Sequence, residues 1–299
     1  MSWQAFGDWG TSHLRLYRIE AGQVTASSAG PGIGAIGEGG PASALRKALA
    51  QLGPDAPAEI RLCGMAGSRT GLAEAPYANC PADAAQWNRA AIRLTFDGVP
   101  LALAAGLACE DSSGCPDVMR GEETQIFGAI AVAPELGAGR SILVLPGTHS
   151  KWAVLENGTI TSFRTFLSGE LFALLKAHST LLALGDSGAS DEEQGFAEGL
   201  ARVRAQEGLS AMLFSVRSLQ LRAGRSSGWA AGYLSALVIG DEVETMRRLA
   251  GQMDRVCLIG ASVLCARYEQ ALAQAGTSTA RLDGEACVLK GMELLNVER

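Results

Sequence analysis

The stretch that decides the fold is residues 3–27, WQAFGDWGTSHLRLYRIEAGQVTAS. Trp3 to Asp8 predicts a strand that ends in a Gly-Thr-Ser turn, and the alternation of apolar and polar residues from Leu14 to Ile19 predicts a second strand. After Glu20-Ala-Gly-Gln, the run Val24 to Ser27 predicts a third. Short alternating strands joined by tight turns are typical of an antiparallel meander, so we expect the chain to open with one.

A second group of strands occurs near the middle of the chain. Residues 141–166, SILVLPGTHSKWAVLENGTITSFRTF, again predict three strands, the last two joined by an Asn157-Gly158 hairpin turn. The two groups share a Gly-Thr turn after their first strand, and Thr11 and Thr148 are separated by close to half of the chain. A duplicated α/β domain explains this match; chance similarity of so short a string is the alternative.

Helical patterns follow each group of strands. A chain of 299 residues has room for two domains at about 100–200 residues each. We therefore expect an N-terminal domain over residues 1–135 and a C-terminal domain over residues 136–299. The predicted helices cover 42–52 and 122–133 in the first domain, and 169–177, 191–206, 210–222, 229–250, 262–275 and 284–296 in the second.

Composition narrows the class of function. With 25 Lys and Arg against 31 Asp and Glu, the net charge is −6, which argues against a nucleic-acid partner. The seven cysteines form no CxxC pair, so neither a zinc site nor a disulfide framework is expected. The sequence contains no run of about 18 apolar residues, so we expect no membrane-spanning helix. The N-terminus lacks the pattern of a signal peptide, so we expect a cytoplasmic protein.

The first turn has the chemistry of a nucleotide phosphate site. Glycine at Gly10 lets backbone N–H groups face phosphate oxygens, and Thr11 and Ser12 add hydroxyl donors. Asp8 can hold Mg²⁺ directly or through water. An ordinary hairpin turn capped by Asp and Thr is the alternative.

The second turn differs from the first at one position. Leu145 occupies the position that corresponds to Asp8 of the first turn, so the Gly147-Thr148 turn has no metal-binding carboxylate. His149 and Lys151 could instead add positive charge. A surface or capping role for His149 is the alternative. A third turn, Gly260-Ala261-Ser262, ends a predicted strand and opens a helix, which is a common ligand position in α/β proteins but also a plain connection.

Arg120-Gly-Glu-Glu-Thr-Gln opens the helix predicted at 122–133. Glu122 or Glu123 could accept a proton from an attacking hydroxyl, and Arg120 could pair with an anionic substrate. Helix capping by a carboxylate is the alternative, because the N-terminal end of a helix favours negative charge.

The glycine-rich segment 30–40 contains Gly32-Ile-Gly-Ala-Ile-Gly37, which matches G-x-G-x-x-G. A dinucleotide site requires this pattern to open a helix, whereas Glu38-Gly-Gly-Pro follows it here. A loop that binds substrate, with Gly34 as a candidate residue, fits better. Neither a Walker A string nor G-x-S-x-G is present, so a P-loop kinase and a serine hydrolase are disfavoured.

Taken together, these segments resemble the 2-dehydro-3-deoxygalactonokinase family over nearly the whole chain, from about residue 3 to 295. This family belongs to the actin-like ATPase superfamily, with the sugar kinases. Two of the strings are quite specific, Met119–Gln125 and Pro146–Trp152, whereas Asp-x-Gly-Thr is shared by many kinases. The segments that carry the resemblance are Asp8–Thr11, Met65–Ser68, Val118–Gln125, Leu145–Trp152, Phe163–Leu171 and Gly260–Ser262.

The resemblance implies an α/β fold of two ribonuclease-H-like domains with ATP in a cleft between them. It implies that ATP phosphorylates the C6 hydroxyl of 2-dehydro-3-deoxy-D-galactonate, with Glu122 as the base, Glu123 as second candidate and Asp8 on Mg²⁺. Since the substrate is a carboxylate, an arginine should face it. The candidates for this contact are Arg120, Arg69 and Arg164, and the ATP-binding candidates are Gly10, Thr11, Ser12, Gly147, Thr148, His149, Lys151, Gly169, Gly260, Ala261 and Ser262.

Two rival functions stay open at this point. A kinase for another sugar or sugar acid is the closer one, because epimeric acids differ only in the direction of one hydroxyl. A non-catalytic actin-like protein that binds a sugar or nucleotide is the other, and the Arg120-Gly-Glu-Glu string argues against it. The expected partners are the two small molecules, with neither nucleic acid nor membrane, and a homo-oligomer is left open.

Overall fold

The computed structural model describes residues 2–182 and 191–297. The strands are β1 (Gln4–Trp9), β2 (His13–Glu20), β3 (Gln23–Pro31), β4 (Glu59–Gly64), β5 (Tyr77–Asn79), β6 (Ile92–Phe96), β7 (Val99–Leu103), β8 (Gly106–Glu110), β9 (Pro116–Met119), β10 (Arg140–Leu145), β11 (Ser150–Glu156), β12 (Thr159–Phe166), β13 (Arg255–Ile259) and β14 (Ser278–Leu282). The α-helices are α1 (Gly40–Ala50), α2 (Ala84–Ala90), α3 (Glu122–Val132), α4 (Ser168–His178), α5 (Glu192–Val203), α6 (Leu209–Ala223), α7 (Ser227–Ala250), α8 (Ser262–Gln274) and α9 (Gly284–Glu293).

The described residues form two compact units. Unit 1 comprises the residues up to Ser141, Ala153–Phe163 and the residues from Leu282 on; unit 2 comprises Ile142–Trp152 and Arg164–Arg281. This division differs from a boundary at 135/136, because residues 136–141, Ala153–Phe163 and the last helix all belong to unit 1. Helix α9 packs against α3 of unit 1, so the C-terminal end of the chain belongs with the N-terminal unit.

Unit 1 is built on a six-stranded sheet in the order β3-β2-β1-β4-β7-β6. The predicted meander is present, because β2 pairs antiparallel with both β1 and β3. Strand β4 then pairs parallel with β1 and with β7. Large side chains that include Trp3, Trp9 and Leu45 are buried between this sheet and α1. A separate three-stranded sheet has the order β5-β8-β9.

The main sheet of the second half has the order β12-β11-β10-β13-β14. Strands β10 and β13 are parallel neighbours, so their C-terminal ends lie at the same edge. The predicted hairpin between β11 and β12 is present, with left-handed φ values of 50° at Asn157 and 77° at Gly158. The core of unit 2 packs Trp152 and Phe196 with residues of α7 and α8. None of the described helices is long and apolar enough to cross a membrane.

Candidate active site

In unit 1, the ends of two parallel strands bring Asp8 beside Cys63. The register pairs Asp8 of β1 with Cys63 of β4, and the Cys63 thiol donates to Asp8 Oδ1 at 3.8 Å. Asp8 is partly buried. Burial raises the pKa of its carboxyl above the ordinary value, Arg15 and the Cys63 hydrogen bond lower it, and the charge of Glu122 raises it.

Helix α3 begins at this same strand end. Gly121 precedes the helix with a φ of 113°, and a Cβ at this position would lie 3.2 Å from Cα of Gly64, the last residue of β4. The positive φ, which residues other than glycine rarely adopt, and this tight contact together favour glycine here. As a result, Glu122 and Glu123 in the first turn of α3 lie close to Asp8 and Cys63, whose pKa values respond to their charges.

The two glutamates have different surroundings. Glu123 has 0% exposure; its carboxylate accepts the Gly121 N–H at 2.7 Å and the Thr124 hydroxyl at 3.1 Å. Burial, with a further contribution from the charge of Glu122, raises the pKa of Glu123 to about 8. Glu122 is only partly buried, and its Oε2 accepts the backbone N–H of Arg120 at 3.1 Å. Of the two, Glu122 is the more accessible to a substrate.

The glycine-rich segment lies against the first Gly-Thr turn. Gly34 donates its N–H to the Thr11 carbonyl at 2.9 Å, and Ile33 donates to the Gly10 carbonyl at 3.1 Å. A Cβ at Gly32 would lie 2.2 Å from the same Thr11 oxygen. The side chains of Thr11 and Ser12 are exposed. The structure thus places two candidate regions, the phosphate turn and the substrate loop, in direct contact.

The three candidate arginines differ in their burial and in their contacts. Arg120 is partly buried; its Nη2 donates to the Ala75 carbonyl at 2.8 Å, and its guanidinium stacks 4.2 Å from the Tyr77 ring centroid. Its Nε and Nη1 are buried and have no hydrogen-bond partner among the described residues. The Arg69 side chain, in contrast, is 86% exposed and pairs with Glu74 at 2.9 Å. Arg164 is partly buried and lies in the last part of β12, which belongs to unit 2.

In unit 2, two candidate turns lie side by side. Strands β10 and β13 are parallel, and a Cβ at Gly260 would lie 3.5 Å from the carbonyl oxygen of Pro146. Ala261 and Ser262 are exposed at the start of α8, and the cap residue Ala261 makes no side-chain cap hydrogen bond. The N-terminal end of this helix therefore presents backbone N–H groups and a partial positive charge next to the second Gly-Thr turn.

Helix α4 supports the second turn from the other direction. Glu170 donates its N–H to the Thr148 carbonyl at 3.0 Å, and a Cβ at Gly169 would lie 2.4 Å from the Gly147 carbonyl. The exposed His149 hydrogen-bonds through Nε2 to Glu170 Oε2 at 2.5 Å. Lys151 lies inside the unit, with 4% exposure. Gly147, Thr148, His149 and Gly169 are thus brought together, whereas Lys151 is buried on β11.

The donor set in unit 1 fits Mg²⁺. The described residues contain no group of three or more His, Cys, Asp or Glu side chains arranged for a metal. Mg²⁺ in kinases is commonly held by one or two carboxylates together with the phosphates of the substrate. Asp8 offers such a carboxylate, and a nearby cation would favour its charged form, which burial and Glu122 disfavour.

Sequence reasoning did not single out Cys63, Thr124 or Glu242 as neighbours of these sites. Cys63 and Thr124 lie beside the acidic residues of unit 1. Glu242 is buried beneath the second turn, where it accepts a hydrogen bond from Ser150 at 2.7 Å. A signal for Glu242 was available: it is a charged residue on the face of α7 that also carries the buried residues Val238, Ile239 and Met246.

Known proteins match almost the entire chain. The 2-keto-3-deoxy-galactonokinase family model matches residues 8–295. A protein of Rhizobium meliloti (strain 1021) named "Probable 2-dehydro-3-deoxygalactonokinase DgoK1" is 36% identical over 291 residues, which cover 95% of this chain and 94% of the relative. The 2-dehydro-3-deoxygalactonokinase of Escherichia coli (strain K12) is 30% identical over 286 residues, with the same two coverages.

Solved structures agree with this assignment. A crystal structure of a candidate 2-dehydro-3-deoxygalactonokinase from Sinorhizobium meliloti matches with a TM-score of 0.87 and 36% identity, covering 97% of each chain. Component A of the Acidaminococcus fermentans (R)-2-hydroxyglutaryl-CoA dehydratase matches with a TM-score of 0.54 at 15% identity, over 98% of this chain and 96% of that one. The second likeness concerns the fold alone. The predicted α/β fold class is confirmed.

The predicted family is confirmed as well, since the family model spans residues 8–295 and two curated relatives are at least 30% identical over 95% of the chain. The chain belongs to the 2-keto-3-deoxy-galactonokinase family of sugar-acid kinases.

Proposed function

We propose that this protein transfers the γ-phosphoryl group of ATP to the C6 hydroxyl of 2-dehydro-3-deoxy-D-galactonate. A bond forms between the C6 oxygen and the γ-phosphorus, the bond from that phosphorus to the β–γ bridging oxygen breaks, and ADP leaves. The observation that carries the proposal is the match of the 2-keto-3-deoxy-galactonokinase family model to residues 8–295. Because the reaction consumes ATP, we also propose that the enzyme acts in the cytoplasm.

In this proposal the Gly-Thr turns at the strand ends are phosphate-binding segments. In unit 2, the Gly147-Thr148 turn and the start of α8 at Ser262 bind phosphate oxygens through backbone N–H groups. The support for this role is their position at one edge of the sheet, next to the N-terminal end of α8. In unit 1, Gly10, Thr11 and Ser12 form the corresponding turn, and the exposed hydroxyls of Thr11 and Ser12 add donors.

Asp8 is the proposed residue for Mg²⁺. When bound, the metal would neutralise charge on the phosphate oxygens of ATP. The support for this role is the chemistry of Asp8: it is a partly buried carboxylate at the end of β1, directly before the Gly-Thr turn. Phosphoryl transfer depends mainly on positioning and on stabilisation of charge; Asp8 would contribute by holding the cation that neutralises the phosphate charge.

Glu122 is the proposed base that accepts the proton of the C6 hydroxyl. Two observations favour it over Glu123. Glu123 is fully buried, and both of its oxygens already accept hydrogen bonds. Burial also raises the pKa of Glu123 to about 8, so its carboxyl is mostly protonated at neutral pH and cannot accept a further proton. We therefore propose that Glu123 stabilises the first turn of α3 and does not act as the base.

Arg120 is the proposed partner of the substrate carboxylate. Its Nε and Nη1 groups are buried and have no hydrogen-bond partner among the described residues, and buried N–H groups are rarely left unpaired. An arginine offers a fork of donors that matches a carboxylate. Arg69 is a weaker candidate, since it is exposed and already paired with Glu74.

The experiment that tests the proposal is an ADP-release assay with the purified protein, ATP, Mg²⁺ and a panel of sugar acids. The panel contains 2-dehydro-3-deoxy-D-galactonate, its gluconate epimer, D-galactonate and D-gluconate. We expect the highest kcat/KM for 2-dehydro-3-deoxy-D-galactonate. A higher kcat/KM for another acid would assign the enzyme to that substrate, and no activity on any acid would favour a binding protein.

A further inference from the structure

Glu242 is a buried carboxylate that collects hydrogen bonds from four side chains of unit 2. It lies on α7 and is 2% exposed. It accepts the hydroxyl of Ser150 at 2.7 Å, the indole N–H of Trp152 at 2.5 Å and the hydroxyl of Tyr268 at 2.9 Å. It also accepts the hydroxyl of Ser168.

Burial of such a group is costly. Removing a carboxylate from water costs several kcal/mol, and hydrogen bonds offset only part of this cost. The pKa of Glu242 reflects the same balance, because burial raises it while the bonds from Ser168, Trp152, Ser150 and Tyr268 lower it. An apolar side chain would fill the space on α7 at lower cost, so the arrangement points to a role beyond packing.

Two of the donors belong to segments that form the second Gly-Thr turn. Ser150 begins β11 directly after the turn, and Ser168 begins α4. Next to Ser168, Gly169 lies against the backbone of Gly147, and the following N–H binds the Thr148 carbonyl at 3.0 Å. The Glu242 carboxylate therefore connects α7 with two segments. One is the start of β11, which leaves the turn, and the other is α4, which supports the turn.

A third donor links the carboxylate to the neighbouring turn. Tyr268 lies on α8, the helix that begins at Ser262 beside Gly260. Its hydroxyl donates to Glu242 and lies 3.2 Å from the Ser150 hydroxyl, also within hydrogen-bond distance. The elements that position both turns of unit 2 thus meet at Glu242.

We propose that Glu242 is a positioning residue that holds the Gly147-Thr148 turn in the geometry that binds the phosphates of ATP. The inference rests on the proposed function, and it adds a residue of α7 that does not touch ATP. If Glu242 served only the stability of the core, its loss would lower the melting temperature without a specific effect on nucleotide affinity.

The test compares Glu242→Gln with a matched core variant, Val243→Ala. Gln keeps the volume of Glu and one carbonyl acceptor for Trp152, and its amide N–H groups can donate to hydroxyls that reverse direction, so folding should persist. With the carbonyl oxygen on Ser150 and Trp152, the amide nitrogen faces Ser168 and Tyr268, whose hydroxyls lose their acceptor and must reverse. Val243 is buried in the same core, on the same helix, and truncation there lowers stability without touching the carboxylate.

The measurement is the Kd of a non-hydrolysable ATP analogue with Mg²⁺, determined by calorimetry beside the melting temperature of each variant. We expect Glu242→Gln to raise this Kd about tenfold while the KM for the sugar acid stays within twofold. Val243→Ala should lower the melting temperature and leave the Kd within twofold. Ser168→Ala should weaken binding more than Tyr268→Phe does, because Ser168 directly precedes Gly169 and Glu170, which contact the turn.

Three results would overturn the inference. One is a Kd for Glu242→Gln within twofold of the wild-type value; another is equal weakening by Val243→Ala at the same loss of melting temperature. In both cases the wild-type protein binds the nucleotide, so the proposed function is unaffected. The third is a wild-type protein that binds no nucleotide, which would overturn the proposed function and this inference together.

Discussion

Two adjacent glutamates open α3, and their surroundings give them different roles. Glu122 is partly accessible, whereas Glu123 is buried with both oxygens occupied. We expect Glu122→Gln to lower kcat by about 10²- to 10⁴-fold, the usual contribution of a general base. Steady-state kinetics with saturating ATP measures it, with circular dichroism as the folding control. A kcat within threefold of wild type in a folded variant would remove Glu122 from the mechanism.

Substitutions of Arg120 and Arg69 can be compared by their effects on the KM for the sugar acid. Arg120→Ala should raise the KM for the sugar acid about 10- to 100-fold, since a charge-assisted hydrogen bond contributes about 1.5–3 kcal/mol. Arg69→Ala should leave this KM within twofold, because Arg69 is exposed and paired with Glu74. Arg120→Lys keeps the charge but loses the fork of donors, so an intermediate KM is expected. A larger effect of Arg69 than of Arg120 would reverse the assignment.

At the scale of elements, α3 is held in place by close packing on α9. A Cβ at Gly291 of α9 would lie 1.9 Å from the carbonyl oxygen of Thr124 in α3. We expect Gly291→Ala to lower the free energy of unfolding by about 1–3 kcal/mol or more, because the two helix backbones must separate. Denaturant unfolding measures this. Gly37→Ala is the control, since a Cβ there would meet nothing within 4 Å; equal losses in both variants would contradict the packing argument.

The strands and turns also show which parts of the fold could be predicted from the sequence alone. The meander and the Asn157-Gly158 hairpin were predictable, because turn residues and alternation act locally. The run from Leu101 to Cys109 predicts one buried strand, with a short helix as the alternative, but the structure divides it into β7 and β8 in different sheets. Periodicity cannot reveal such a division, since an apolar run has the same pattern in one buried strand or two.

The candidate sites, like the strands, were only partly predictable from the sequence. The Gly-Thr turns and the α3 start were predictable from short strings, whereas the partners of Arg120 and Glu242 come from segments distant in the sequence. The unpaired N–H groups of Arg120 depend on side-chain placement, which one sequence does not encode locally. Glu242 carries a weak signal, as a single charge among the buried residues of α7.

At the scale of the whole molecule, Glu123 couples stability to pH. Burial raises its pKa from 4.5 to about 8, so between these values the folded protein holds a proton that the unfolded chain has released. The free energy of unfolding therefore falls as pH rises through this window, by up to about 1.4 kcal/mol per pH unit. Glu123→Gln mimics the protonated form and removes this dependence.

Denaturant unfolding between pH 5 and pH 8.5, without nucleotide or metal, measures the effect. The variant should gain stability relative to the wild type as pH rises over this range, with the largest difference at pH 8.5. Asp8 also has a raised pKa, but it is present in both proteins and largely cancels in the difference. A difference that stays constant with pH would show that Glu123 is ionised in the folded protein.

The central claim is that this chain phosphorylates the C6 hydroxyl of 2-dehydro-3-deoxy-D-galactonate. Phosphorus NMR of the reaction mixture with ATP and Mg²⁺ tests it most directly, because the coupling of the new phosphate to carbon-bound protons identifies the oxygen that carries it. We predict one new phosphomonoester coupled to the C6 protons, formed in step with ADP. Release of inorganic phosphate alone, or a phosphate coupled to the proton of another carbon, would contradict the claim.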